Sequence, residues 1–262
     1  FLPKETIVNG VLKNASSLVN ALNSLTENLK IKTKYVATAV SGHPVIIKKI
    51  NIPTMSEEEL SESIQWEAEQ YIPFDLEEVN IDFQILGVNE AAPDQMDVLL
   101  VAAKKSLINE YKEVISEAGL KAVIVDIDSL SLENAYEINY PDEEAPVVAL
   151  VDMGASVINI NVIKEGKSTF TRDVFMGGNK ISEEIQKQLA VSGEEAEMLK
   201  IGGELENVDY EQLDNIIQDA SRALAVEIQR SLNLHADSTT DEEVNKIYLS
   251  GGTSRIPGIK DL

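Results

Sequence analysis

Val147-Val148-Ala149-Leu150-Val151-Asp152-Met153-Gly154-Ala155-Ser156 is an apolar run that ends in an aspartate, a glycine and two small residues. Far downstream, Ile247-Tyr248-Leu249-Ser250-Gly251-Gly252-Thr253-Ser254-Arg255 has the same build. Each reads as a buried strand delivered into a turn whose backbone N–H groups are bare. Such turns hold phosphate, because an anion needs several donors and no side chain in the way. The Asp152 carboxylate stands where it would hold the Mg2+ that travels with phosphates. Gly251 and Gly252, with Thr253 next in line, let the backbone approach a flat ring such as adenine. Together the two turns describe a nucleotide held between two walls. For either stretch alone, an ordinary tight turn remains open as a second reading.

Composition narrows the class. With 262 residues and 44% hydrophobic residues, the chain is long enough for one large or two modest cores. Its formal net charge of −23 opposes nucleic acid and anionic lipid as partners, so a nucleotide must be held by local donors and a metal. Cysteine is absent, which excludes disulfides and thiolate metal sites and fits a reducing cytoplasm. No apolar run reaches the roughly 18 residues of a membrane span, and no signal peptide is visible, so direct membrane insertion is not expected. The chain opens with Phe1 rather than Met, so its natural start is expected upstream.

Periodicity sets the element order. Val8, Val11, Leu12, Ala15, Leu18, Val19, Leu22, Leu25 and Leu29 recur at three and four, predicting one amphipathic helix over residues 5–30. Strands follow at Tyr35–Val40 and Val45–Ile50, ended by Pro53. Ser56 with Glu59 forms a capping box and starts a helix through Leu60, Ile64 and Ala68. Strands at Ile81–Leu86 and Met96–Ala102, a helix over Leu107–Ala118 closed by Gly119, a strand at Ala122–Ile127 and a helix from Asp128 to Ile138 complete the first half. Tyr140–Pro146 reads as a linker. Then come strands at 147–152, 157–163 and 168–175, turning at Gly154 and Gly166. Helices over 180–190, 194–200 and 210–231 follow, and a last strand at Lys246–Leu249. Two hairpins followed by a helix are the repeating half of the actin and ribonuclease H-like α/β fold.

Other candidates carry two readings each. Gly177-Gly178 before a helix is an anion-friendly place, since a helix start has free N–H donors and partial positive charge; the alternative is a tight strand-to-helix turn. Glu227 and Arg230 share one helix face, either as a surface ion pair or as ribose and base contacts. Glu197 and Lys200 repeat that spacing and both readings. His43 and His235 have no third partner at metal-ligand spacing, so a histidine metal site is not expected.

In that order, these motifs resemble the actin-like ATPase superfamily, and more closely the PilM family of type IV pilus assembly proteins, relatives of the division protein FtsA. Three stretches carry the likeness. They are Ile64-Gln65-Trp66-Glu67-Ala68-Glu69-Gln70-Tyr71-Ile72-Pro73-Phe74; Val151–Ser156 with Phe170-Thr171-Arg172-Asp173 and Gly177-Gly178-Asn179; and Glu227-Ile228-Gln229-Arg230-Ser231 with Leu249-Ser250-Gly251-Gly252. The resemblance implies an actin-like (ribonuclease H-like) two-lobed α/β fold with a small inserted α/β module and ATP between its halves. It implies a first lobe at 1–53 and 121–146, the module at 54–120 and a second lobe at 147–262. By matching position, Asp152 to Ser156 would be the second phosphate loop, Gly251-Gly252 the adenine turn, and Glu227 and Arg230 the ribose or base contacts. The first phosphate loop and a final helix and strand of that fold are expected outside Phe1–Leu262, which bears on ATP and Mg2+ binding by this chain. The family implies a cytoplasmic scaffold, peripheral to the inner membrane, that takes the N-terminal peptide of the membrane protein PilN beside the module and links it to other pilus assembly proteins. Trp66, Tyr71 and Phe74 are the candidate peptide contacts, with packing inside the module as the alternative. No convincing general base is present, so at most a slow ATPase is expected. The rivals are an FtsA-type division tether and a sugar-kinase-like phosphotransferase.

Overall fold

The computed structural model describes residues 2–3, 6–8, 11–89, 91–141, 145–238 and 243–262. The chain divides into two units, Phe1–Ser131 with Lys167–Thr169, and Leu132–Gly166 with Phe170–Leu262.

The first unit opens on a correction. The region expected as one helix over 5–30 begins as two short strands, β1 (Ile7–Val8) and β2 (Val11–Leu12), paired antiparallel with Ile7 opposite Leu12. The helix, α1, runs only over Ala15–Asn28, because Asn14 caps it by accepting the Ser17 N–H at 3.0 Å. Glu5, Asn9 and Gly10 of the expected helix lie outside the described residues.

β3 (Tyr35–Val40) runs parallel to β7 (Lys121–Ile127). Separately, β4 (Val45–Pro53), β5 (Val79–Val88) and β6 (Gln95–Lys104) form an antiparallel sheet in the order β4-β6-β5. β6 is central, so both of its faces are buried and its sequence is almost continuously apolar from Val98 to Ala103. On one face lies α2 (Glu57–Ala68), whose Leu60, Ile64 and Ala68 pack with Ile50, Ile52, Val98, Leu100 and Ala102. Burying Leu60 and Ile64 stabilises the unit by roughly 1.5–3 kcal/mol each. The helix α3 (Lys105–Glu117) follows β6 and ends at Gly119, whose φ of +73° is the left-handed geometry of a helix C-cap.

The capping box of α2 is formed: the Glu59 N–H donates to Ser56 Oγ at 3.2 Å, and the Ser56 N–H donates to Glu59 Oε2 at 2.8 Å. Ser56→Ala should lower stability by about 1 kcal/mol, read as the urea midpoint by circular dichroism. The backbone and side-chain bonds from Ser56 hold the Glu59 carboxyl below its ordinary value of 4.5. A lowered folded-state value means the contribution is present above the unfolded value and is lost as pH falls through the folded one. Alanine keeps the Ser56 backbone N–H, so only the share of the deficit that comes from the lost hydroxyl-to-carboxylate bond should shrink on acidification below pH 4.5.

The second unit holds the sheet β10-β9-β8-β11, built from β8 (Val147–Met153), β9 (Ile158–Lys164), β10 (Lys167–Val174) and β11 (Lys246–Ser250). β8 is antiparallel to β9 and parallel to β11. Val147, Ala149, Val151 and Met153 face the main core with α5 (Gly178–Leu189), α6 (Gly193–Lys200) and α7 (Tyr210–Ser238). The alternate residues Val148 and Leu150 pack with Leu132 and Tyr136 of α4 (Asp128–Asn139). A strand covered on both faces has no polar side to present, which explains the unbroken apolar run of β8. Of the linker expected at 140–146, residues 142–144 lie outside the described residues.

Candidate functional site

Three segments of the second unit meet at the end of β8. The turn after β8 closes with the Gly154 N–H donating to Val157 O at 3.0 Å. Gly154 O is then a hub: it accepts the Gly178 N–H at 3.0 Å and the Thr253 hydroxyl at 2.9 Å. Asn179 reinforces the join, its N–H donating to Ala155 O at 2.8 Å and its Nδ2 to Ser156 Oγ at 3.0 Å. From the other side, Ser250 lies in register with Asp152 and donates its hydroxyl to Asp152 Oδ1 at 3.0 Å.

The glycines have separate jobs. Gly251 has a φ of +81°, and a Cβ there would stand 2.6 Å from Asp152 Oδ1. Both strain and crowding therefore demand glycine. At Gly252 a Cβ would meet nothing within 4 Å, so that backbone borders open space. Gly177 is extended, at φ −168°, and is glycine for room: a Cβ would run into the backbone of Gly154 and Ala155.

The donors decide between the two readings of Gly177-Gly178. The N–H groups of Gly178 and Asn179 are spent on Gly154 O and Ala155 O. The tight strand-to-helix turn is the geometry found. Among the described residues, the N–H groups of Ala155 and Ser156 at the tip of the β8 turn have no protein acceptor. Bare donors at a turn tip are the fit expected of a phosphate cradle. Asp152 is half-buried beside them. No group of three or more His, Cys, Asp or Glu among the described residues is placed to hold a metal. An Mg2+ here would thus take one protein carboxylate and fill its remaining positions from phosphate and water.

Lys200 is buried, and its Nζ donates to Gly178 O at 3.3 Å, Ser182 Oγ at 3.0 Å and Glu197 Oε2 at 2.6 Å. An ammonium has three protons, so this lysine ties α6 to the first turn of α5. Glu227 and Arg230 form an ion pair of 2.9 Å on α7, with Arg230 exposed. Ser250 and Asn179 stand in the motif stretches without an assigned role, and Ser182 was not singled out at all. Ser250, one residue before the Gly251-Gly252 pair, was the readable signal among them.

In the first unit the three aromatic candidates part company. Trp66 is 78% exposed. Tyr71 and Phe74 pack against the core under α2, with Lys48 Nζ 5.0 Å and Lys104 Nζ 4.5 Å from their ring centroids.

A family model described as "Type IV pilus assembly protein PilM" matches residues 1–262. The chain belongs to the PilM family of type IV pilus assembly proteins. Among solved structures similar to this PilM-family chain is a PilM-PilN type IV pilus biogenesis complex, with a TM-score of 0.84 and 25% identity over 99% of this chain and 74% of that one. MreB5 of Spiroplasma citri bound to ADP shares the fold, at a TM-score of 0.55 and 15% identity, covering 98% of this chain and 69% of that one. The fold is thus the actin-like α/β fold. Cell division protein FtsA of Neisseria meningitidis serogroup B is 23% identical over 98% of this chain and 72% of that protein. FtsA of Bacillus subtilis is 23% identical over 74% of this chain, which spans only 47% of that relative's length.

Proposed function

We propose that this PilM-family chain is an ATP-binding, actin-like scaffold on the cytoplasmic side of the inner membrane, which receives the N-terminal segment of PilN and hands the membrane complex on to the pilus assembly machinery. The likeness to a PilM in complex with PilN, over 99% of the chain, carries this reading. We assign residues 1–53 and 121–146 to a first lobe, 54–120 to the inserted module and 147–262 to the second lobe. β4 completes the module's sheet from the first-lobe side of that boundary. The nucleotide's phosphates would rest on the Ala155 and Ser156 N–H groups, with Mg2+ reached from Asp152 and the adenine over Gly252. Gly154, Gly177, Gly178 and Thr253 shape that cradle by joining its strands. Lys200 would act by holding α6 to α5, and Glu227 and Arg230 from the exposed face of α7. ATP bound this way serves as a clasp that selects one conformation, since a ligand shifts a population by its differential affinity.

Similarity to FtsA over nearly the whole chain favours one second reading, a division-type tether. Calorimetric titration with a peptide copying the N-terminus of the PilN from the same organism separates the two. Saturable one-to-one binding is expected. A folded chain that does not bind would move the assignment toward the FtsA-type role.

A further inference from the structure

We propose that the outer face of α2 around Trp66 docks a lysine- or arginine-bearing peptide segment of a protein partner. Trp66 is the chain's only tryptophan, and it stands almost bare on a helix whose opposite face is fully used in the core. On a helix, Glu59, Glu62 and Glu69 fall at i−7, i−4 and i+3 from Trp66 and so share its face. Residues 57–69 contain six glutamates and no lysine or arginine. Glu62 and Glu69 enter no ion pair or side-chain hydrogen bond among the described residues.

The helix itself is charged the wrong way at one end. Glu57, Glu58 and Glu59 suit the N-terminus, but Glu67 and Glu69 sit at the C-terminal end, where the last turn has no basic residue. Carboxylates there face the partial negative charge of the free carbonyls. An exposed indole and a repulsive helix end are both local costs, and chains retain such costs where a surface has a task. A cationic segment relieves both at once. Its charges neutralise the glutamates, and a guanidinium lying over the indole gains cation–π attraction. An acidic or neutral segment gains neither. The inference rests on the module being the partner-binding element, and not on which protein supplies the segment.

Trp66 is its own reporter. The chain would be titrated with a short arginine–alanine peptide and with a glutamate–alanine peptide of equal length, following tryptophan emission. A saturable blue shift is expected with the first and none with the second. In Glu62→Gln/Glu69→Gln the affinity should drop about tenfold, as for loss of a paired interface charge. Glu204→Gln/Glu206→Gln removes the same charge from an exposed loop elsewhere and should leave affinity unchanged. Unmoved emission, or equal weakening in both double variants, overturns the proposal. A PilN segment that binds by calorimetry while the arginine–alanine peptide leaves Trp66 emission unmoved overturns this inference alone. An arginine peptide that binds where the PilN segment fails overturns the pilus reading alone.

Discussion

Gly177→Ala should cost the second unit about 3 kcal/mol of stability, the upper end of what overpacking usually costs. The added Cβ would strike the Gly154 carbonyl oxygen and lie 2.7 Å from the carbonyl carbon and oxygen of Ala155. Neither group is free to retreat, because each accepts a bond from the start of α5, from Gly178 and Asn179. The backbone at Gly177 is ordinary extended chain, so the penalty is crowding and not conformational strain. Urea unfolding followed by far-ultraviolet circular dichroism measures it. Gly252→Ala is the matched control: the same change into open space at φ −64° should stay within about 0.5 kcal/mol of the parent. An unchanged midpoint for Gly177→Ala would mean that the β8 turn yields, and that the join to α5 is looser than its hydrogen bonds imply.

Asp152→Ala should weaken Mg-ATP binding at least tenfold in the full-length protein, about 1.4 kcal/mol of binding free energy. Asp152 brings the carboxylate to the cradle, while Ala155 and Ser156 contribute neutral donors. The fold should tolerate the change, since the described bond to this side chain is the single one from the Ser250 hydroxyl. Losing that partner costs about 1 kcal/mol. Calorimetry with Mg-ATP, and again with ATP in excess chelator, isolates the metal. The parent and the variant should differ in the first titration and converge in the second. Equal Mg-ATP affinity would remove Asp152 from the site.

Much of this architecture was readable before any coordinates. β8 declares itself because both its faces are covered, leaving no polar alternation to confuse it. α2 declares its start through Ser56 and Glu59, which satisfy each other's backbone. Residues 6–8 and 11–12 misled because Val8, Val11 and Leu12 extend the three-and-four spacing of the helix that starts at Ala15. The site was legible as residue types but not as a wiring diagram. Nothing local to Gly178 or Asn179 announces that Gly154 O and Ala155 O come within reach and take their donors. Lys200 likewise shows its Glu197 partner by helix spacing, whereas Ser182 and Gly178 O arrive from another helix. Pairings of this kind depend on which distant segment folds alongside.

The two hydroxyl bonds that close the candidate cradle join residues 98 and 99 positions apart, Ser250 to Asp152 and Thr253 to Gly154. Ribosomes extend chains at about 5–20 residues per second, so the interval between making one wall and making the other lasts roughly 5–20 s. During that time the hairpin of β8 and β9 and the helices that follow are already synthesised. Their contacts are nearer in sequence, and such contacts form early. The turn at Gly154 waits with one side open until Thr253 has emerged. Closing the long loop then adds little entropy cost over a shorter one, because that cost grows only with the logarithm of length. Closure of the candidate cradle thus comes late in the synthesis of the chain, once Thr253 can donate its hydroxyl to Gly154 O.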